Sequence, residues 1–299
     1  MKKIWPFMIL LMFAASAAAA ENPWDRKLPF KSATVKYKVA GSMKGEKTLY
    51  VKDYGRTSAE YSTVTMKVFG MSQDQKEIII TTPDWVYSAD LIEKTGTKQT
   101  NMNKFMKEEY NKLSSSDQKK LVKNSEAMGI STIEDLNGTV EKNAVNILGY
   151  DCDKVTVMGT TAYNISGSAL PLKIQGDTMG IKIFQEAVNL STGSVLSSKF
   201  NLPPGIEFEY DPVADQMMKE QAQEMVKNLV EGKSPMAGAV PPAQTESYAQ
   251  PSTPSQPSND YGVGQDAKDV GQAARQETKD ATIDEVKQGV RSVFKSLFD

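Results

Sequence analysis

The chain has no histidine and a single cysteine among its 299 residues. Without an imidazole there is no Ser-His-Asp or Cys-His nucleophile pair and no His-ligated zinc site. One cysteine cannot close an internal disulfide, so the fold must stand on its apolar core. Excess charge of either sign is also missing: 35 basic residues face 37 acidic ones. The lysines are interleaved with acids, as in KEEYNK and SSDQKKLVK, which reads as solvated helix faces. No basic stripe marks a nucleic-acid interface. Neither a Gly-rich phosphate loop nor a D-x-D-x-D-G calcium loop occurs. No local cue singles out a catalytic carboxylate pair. The expectation is a protein that is not an enzyme and that uses no cofactor and no metal.

Long hydrophobic runs are scarce too. The first twenty residues, MKKIWPFMILLMFAASAAAA, set Lys2 and Lys3 before a short apolar run and end in small residues with an A-x-A site. That run falls short of the roughly 20 residues needed to cross a bilayer, so residues 1–20 read as a cleavable signal peptide and the chain as periplasmic. A lipid-anchoring cysteine would follow such a segment directly. Cys152 lies over a hundred residues downstream, in ILGYDCDKV, so the chain does not read as a lipoprotein. Asp151 and Asp153 disfavour a thiolate at Cys152, and a buried, inert thiol is expected.

What is present is patterning. In ATVKYKVA, Val35, Tyr37 and Val39 alternate with Lys36 and Lys38, and comparable alternation runs through EKTLYVKD, STVTMKVFG, KEIIITT and DWVYSAD. The short turns between these segments predict antiparallel strands. Residues 101–129 change to helical spacing, with Gly129 as a stop, and predict one or two helices. A second set of strands is expected from about 143 to 210, including VLSSKFNL. Leu170, Leu172 and Ile174 alternate with Pro171 and Lys173, which suggests an edge strand. A helix from Pro212 to about Val230 closes a domain spanning 21–231.

Residues 232–259 are rich in Pro, Ser and Gln and predict a disordered linker. Beyond it, 260–299 reads as a helical tail. Thr282-Ile283-Asp284-Glu285 matches a capping box, and Ile283, Val286, Val290, Val293, Phe294, Leu297 and Phe298 fall within an arc of roughly 140°. This amphipathic face suits three surfaces: the chain's own domain, a second copy or protein partner, or a membrane interface.

A one-sided sheet of many strands must bury its apolar face, and the helices of 101–129 and 212–230 are the available covers. If cover is incomplete, a pocket remains for a hydrophobic ligand or lipid, lined by Val39, Leu49, Met66, Val68, Trp85, Tyr87, Ile174, Ile181 and Ile183. Core packing of the same residues is the competing expectation, and it leads to an envelope structural or interaction protein.

The segments GSMKGEKTLYVKDYG, NILGYDCDKVTV, LPLKIQGDTMGIKIFQEA and KFNLPPGIEFEY, within residues 33–212, resemble the LolA/LolB-like lipoprotein-carrier superfamily. The resemblance implies an α+β fold: a curved antiparallel sheet, an unclosed half-barrel, with helices over its concave face. It also implies a carrier that holds acyl chains in the apolar space between sheet and helices.

Overall fold

The computed structural model describes residues 22–24, 27–68, 71–135, 138–178 and 181–234. The alternating segments become β1 (Ala33–Gly41), β2 (Met43–Lys52), β3 (Thr57–Val68), β4 (Met71–Thr81), β5 (Trp85–Asp90) and β6 (Thr95–Thr100). Each pairs antiparallel with its predecessor. The helices α1 (Met102–Lys112) and α2 (Ser115–Asp135) follow. A second meander comprises β7 (Thr139–Ile147), β8 (Tyr150–Val157), β9 (Thr160–Ile165), β10 (Pro171–Thr178) and β11 (Ile181–Thr192). The described chain ends with β12 (Phe208–Tyr210) and α3 (Pro212–Val230).

Pairing of β1 with β11 fuses the two meanders into one sheet of 12 strands, ordered β12-β6-β5-β4-β3-β2-β1-β11-β10-β9-β8-β7. All neighbours are antiparallel except β12, which lies parallel to β6. The end strands β7 and β12 do not meet, so the sheet is unclosed, and the class is α+β.

Strand β10 is interior, between β9 and β11, rather than at an edge. Its proline is accommodated because Pro171 opens the strand beside a bulge, where no ladder N–H is required. The carbonyl of Pro171 accepts from the Tyr37 hydroxyl at 3.0 Å. Helix α2 continues through Gly129 to Asp135. The glycine costs about 1 kcal/mol of propensity, a deficit that burial of Leu121 and Ile133 on the same helix offsets. VLSSKFNL is not a strand but a short 3-10 turn at Ser197–Phe200.

Register sorts the side chains into two faces. Val35, Leu49 and Glu60 share one face across β1, β2 and β3, as do Met43 and Met66. We call this the core face. A central buried cluster joins Phe30, Ala33, Val35, Tyr37 and Val51 to Cys152, Ile165, Leu170, Leu172 and Ala187. On the opposite, outer face Lys36, Lys38, Lys44 and Glu46 lie toward solvent. Nearer β6 the outer face is apolar instead: Ala59, Ile78 and Ile80 are buried against Tyr50, Tyr61, Tyr87 and Phe200. There the segment 196–210 lies across it, fixed by the Tyr61 hydroxyl donating to the Lys199 carbonyl at 2.9 Å. Gly96 permits this approach, since a Cβ there would sit 2.8 Å from the Phe208 ring.

The helices cover the core face, because α1 leaves the end of β6 and α2 delivers the chain to β7, the far edge. Those strands are ten inter-strand steps apart, about 48 Å at 4.8 Å per step. Phe105, Met106, Tyr110, Leu121, Ile133, Met218, Ala222, Met225, Val226 and Leu229 supply the buried sides of the helices.

Leu172 is fully buried in the central cluster. Leu172→Ala is expected to cost about 2–5 kcal/mol, read as a lower denaturation midpoint in urea with an unchanged slope.

Candidate functional site

The helix layer is pinned at its ends. Asp215, in the first turn of α3, accepts from the Thr100 N–H at 2.9 Å, the Thr100 hydroxyl at 2.7 Å and the Tyr210 hydroxyl at 3.0 Å. Asn101 caps α1 and donates from Nδ2 to the Thr82 carbonyl at 2.7 Å. Asp211 caps α3 through the N–H groups of Val213 and Ala214. At the far end of α3, Asn124 of α2 donates to the Leu229 carbonyl at 2.8 Å, satisfying a group the helix terminus leaves free.

Beneath this layer, Val39, Leu49, Met66, Ile174 and Ile183 lie on the core face by register, and Ile181 shares their phase at the end of β11. Val68 holds a backbone position in the same phase of β3. Val39 and Met66 are each 4% exposed and Ile183 8%, so they are covered in this form. Trp85 and Tyr87 do not belong with them. Tyr87 pairs with Ile80, which pairs with Ala59, so both aromatics face outward. Trp85 packs edge-on against Tyr210 at 5.9 Å between ring centres, and Tyr87 against Phe208 at 5.5 Å. Lys98 Nζ lies 3.7 Å from the centre of the Trp85 ring. The alternation in DWVYSAD predicts an apolar phase facing the helices, but the segment 196–210 creates a second buried surface and reverses it.

On β4 and β5 the core face is mixed: Gln73, Gln75, Glu77 and Ser88 share it with Ile79 and Val86. Ser88 donates to Glu77 at 2.7 Å. The apolar part of the core face is broadest over β1, β2, the Val64–Met66 end of β3 and β8 to β11, and thins to Ile79 and Val86 on β4 and β5. An open depression of about 250 Å³ lies elsewhere, between α1 and α3, lined by Leu113, Val226 and Val230 with Glu109, Lys112 and Glu231 at its rim.

Sequence reasoning missed a polar group within the apolar face. Lys47 Nζ lies 2.8 Å from Glu60 Oε1, with the lysine side chain 7% exposed and the glutamate 25%. Tyr37 pairs directly across from Lys47, and Gln185 across from Val39; both are buried. Burial, then the nearby Glu60 charge, pushes the Tyr37 hydroxyl far above the ordinary tyrosine range. The signal was in the sequence: Lys47 occupies the same alternation phase as Leu49 and Val51.

Cys152 is fully buried, and its Sγ lies 3.4 Å from the Tyr150 carbonyl. Burial pushes its pKa up, the Ile147 backbone opposes this, and the charges of Asp151 and Asp153 reinforce it. Asp153 next to it is buried within a clasp. Lys142 Nζ donates at 2.8 Å, the Asn143 N–H at 3.0 Å and the Ser166 hydroxyl at 2.7 Å. Burial alone would raise the Asp153 carboxyl, but these donors prevail and hold it below the ordinary aspartate range.

Among the described residues, no group of three or more His, Cys, Asp or Glu is placed to hold a metal ion. No helix among them is long and apolar enough to cross a membrane. The tail face of Ile283, Val286, Val290, Val293, Phe294, Leu297 and Phe298 lies outside the described residues, as do the linker beyond 234 and the segment 1–20.

No protein-family model matches the chain, and no curated protein matches it. Solved structures similar to it include an uncharacterised conserved protein from Thermus thermophilus, at 8% identity and a TM-score of 0.36, covering 61% of this chain and 92% of that one. PNGF-II is similar at 10% identity and a TM-score of 0.31, over 64% of this chain and 33% of its own. MucB is similar at 9% identity and a TM-score of 0.28, over 58% of each chain.

A thiol reagent is expected to leave native Cys152 unmodified and to label it fully in denaturant, counted by mass spectrometry. For Asp153, a folded pKa below the unfolded one means its contribution is complete above the unfolded value and vanishes as pH falls through the folded one. Asp153→Asn is expected to cost about 1–3 kcal/mol at pH 7. In urea melts run at stepped pH, the gap between variant and wild type should shrink below roughly pH 4.

Proposed function

We propose that the protein is a non-enzymatic, periplasmic binding or carrier protein of the LolA/LolB-like type, which holds a lipid, acyl chain or other hydrophobic ligand between sheet and helices. The supporting observation is the apolar stretch of the core face from Val39, Met43 and Met66 to Ile174 and Ile183, roofed by helices that are tied down by polar contacts at their ends. A ligand enters this reading by parting helices from the sheet, trading protein-to-protein apolar contact for protein-to-ligand contact at small net cost. A solid-core envelope protein is the second reading, favoured by the near-complete burial of Val39, Met66 and Ile183. In that reading the amphipathic tail docks on a partner or membrane surface and does the work.

Native mass spectrometry of gently purified protein is expected to reveal co-purifying lipid, and a fluorescent fatty acid should bind with saturation. Repeated absence of both leaves the solid-core reading. Deleting residues 260–299 is expected to abolish sedimentation with anionic liposomes while sparing fatty-acid uptake; liposome binding that survives the deletion removes the interfacial role of the tail.

A further inference from the structure

The short turn that crosses the outer face leaves its leucines outside. Leu196 and Leu202, which bracket the 3-10 turn at Ser197–Phe200, are 72% and 41% exposed. Between them Lys199 reaches over the sheet, its Nζ 5.2 Å from the centre of the Tyr50 ring and 5.9 Å from that of Tyr61. Lys52, at the end of β2, sets its Nζ 4.6 Å from the centre of the Phe200 ring. Tyr50 and Tyr61 meet edge-on at 5.5 Å, and the Tyr61 hydroxyl donates to the Lys199 carbonyl, so these residues form one contiguous patch. Among the described residues neither lysine forms an ion pair. The adjoining turn adds exposed Tyr54 and Arg56 against one acid, Asp53.

A single exposed leucine needs no explanation. Two of them beside aromatic rings and lysines make the mixture that settles at a lipid headgroup layer. Rings take the headgroup level, ammoniums meet anionic phosphates, and leucines enter the acyl boundary. We propose that this patch is a contact surface for anionic phospholipid, which orients the domain on a bilayer. It rests on the interfacial reading of the tail, because stable attachment takes two signals and two leucines with two lysines supply only one. The tail brings the chain to the membrane. The patch then lays the outer face of the sheet against lipid and leaves the helix layer, on the core face, toward water, where the helices are free to part.

The test uses the full-length protein with Leu196→Cys or Leu202→Cys carrying a nitrobenzoxadiazole label, at positions exposed enough to spare folding; buried Cys152 stays unlabelled in the native state. Met217→Cys on α3, at a residue 52% exposed, is the control. With vesicles of phosphatidylcholine containing about 30% phosphatidylglycerol, the labels replacing Leu196 and Leu202 should shift to the blue and gain about twofold in intensity, while the label replacing Met217 should not change. Vesicles of phosphatidylcholine alone should produce no response. Lys52→Gln with Lys199→Gln should raise the lipid concentration needed by at least roughly tenfold, since each charge is worth about fivefold. Silent labels on protein that still sediments with the anionic vesicles overturn the patch and leave the interfacial tail standing. Failure of the wild type to sediment with them overturns both. An equal response of the control, an equal response to phosphatidylcholine alone, or an unchanged response after loss of both lysines overturns the patch as well. A blue shift that grows with protein concentration in the absence of vesicles overturns it in favour of a second copy of the chain. Should the double lysine variant not fold, the comparison of the two vesicle types decides the charge dependence.

Discussion

One connection constrains this molecule: the chain must travel from β6, near one rim of a 12-stranded sheet, to β7 at the other. It does so as helix, over a single face, and so it decides which side of the sheet is roofed. Helix α3 completes the layer by packing against both α1 and α2. An antiparallel sheet with one face covered and one wet is a common solution to burying apolar strands. Here the cover is also the crossover.

The outer face departs from that simple division. Around β3 to β6 it is greasy, and the segment 196–210 with β12 seals it, helped by the bare backbone of Gly96. The sheet thus has two separate buried surfaces, a broad one under the helices and a small aromatic one behind β5 and β6. Their polar exceptions behave differently. The Asp153 clasp satisfies a carboxylate with local donors, whereas Lys47 meets the Glu60 carboxylate across β2 and β3 beside Leu49 and Ile79.

Most strands were legible because their alternation is strong: Val35, Tyr37 and Val39 in β1, or Val64 and Met66 in β3. Strand β6 was not, since TGTKQT has no apolar phase and is held by its neighbours. The face of Trp85 and Tyr87 was unreadable for a different reason. Alternation distinguishes two sides but does not say what covers each, and a loop from over a hundred residues away decided the matter. Pro171 misled because proline marks a missing donor, which a bulge in the sheet interior tolerates as well as an edge does. Gly129 misled because tertiary burial outweighed a local propensity of about 1 kcal/mol. Among the site residues, Val39, Leu49, Met66, Ile174 and Ile183 were placed on one face by period alone. The buried lysine in their midst was passed over, because charge was equated with solvent.

The clasp at Asp153 also shapes the rim. It grips the chain where β7 bulges between Glu141 and Val145, with Asn143 in a left-handed conformation. A bulged rim offers incoming backbone a crooked template, and the opposite rim, β12, is three residues long. An open sheet of this width invites edge-to-edge stacking into fibrils, and both borders are built to refuse it.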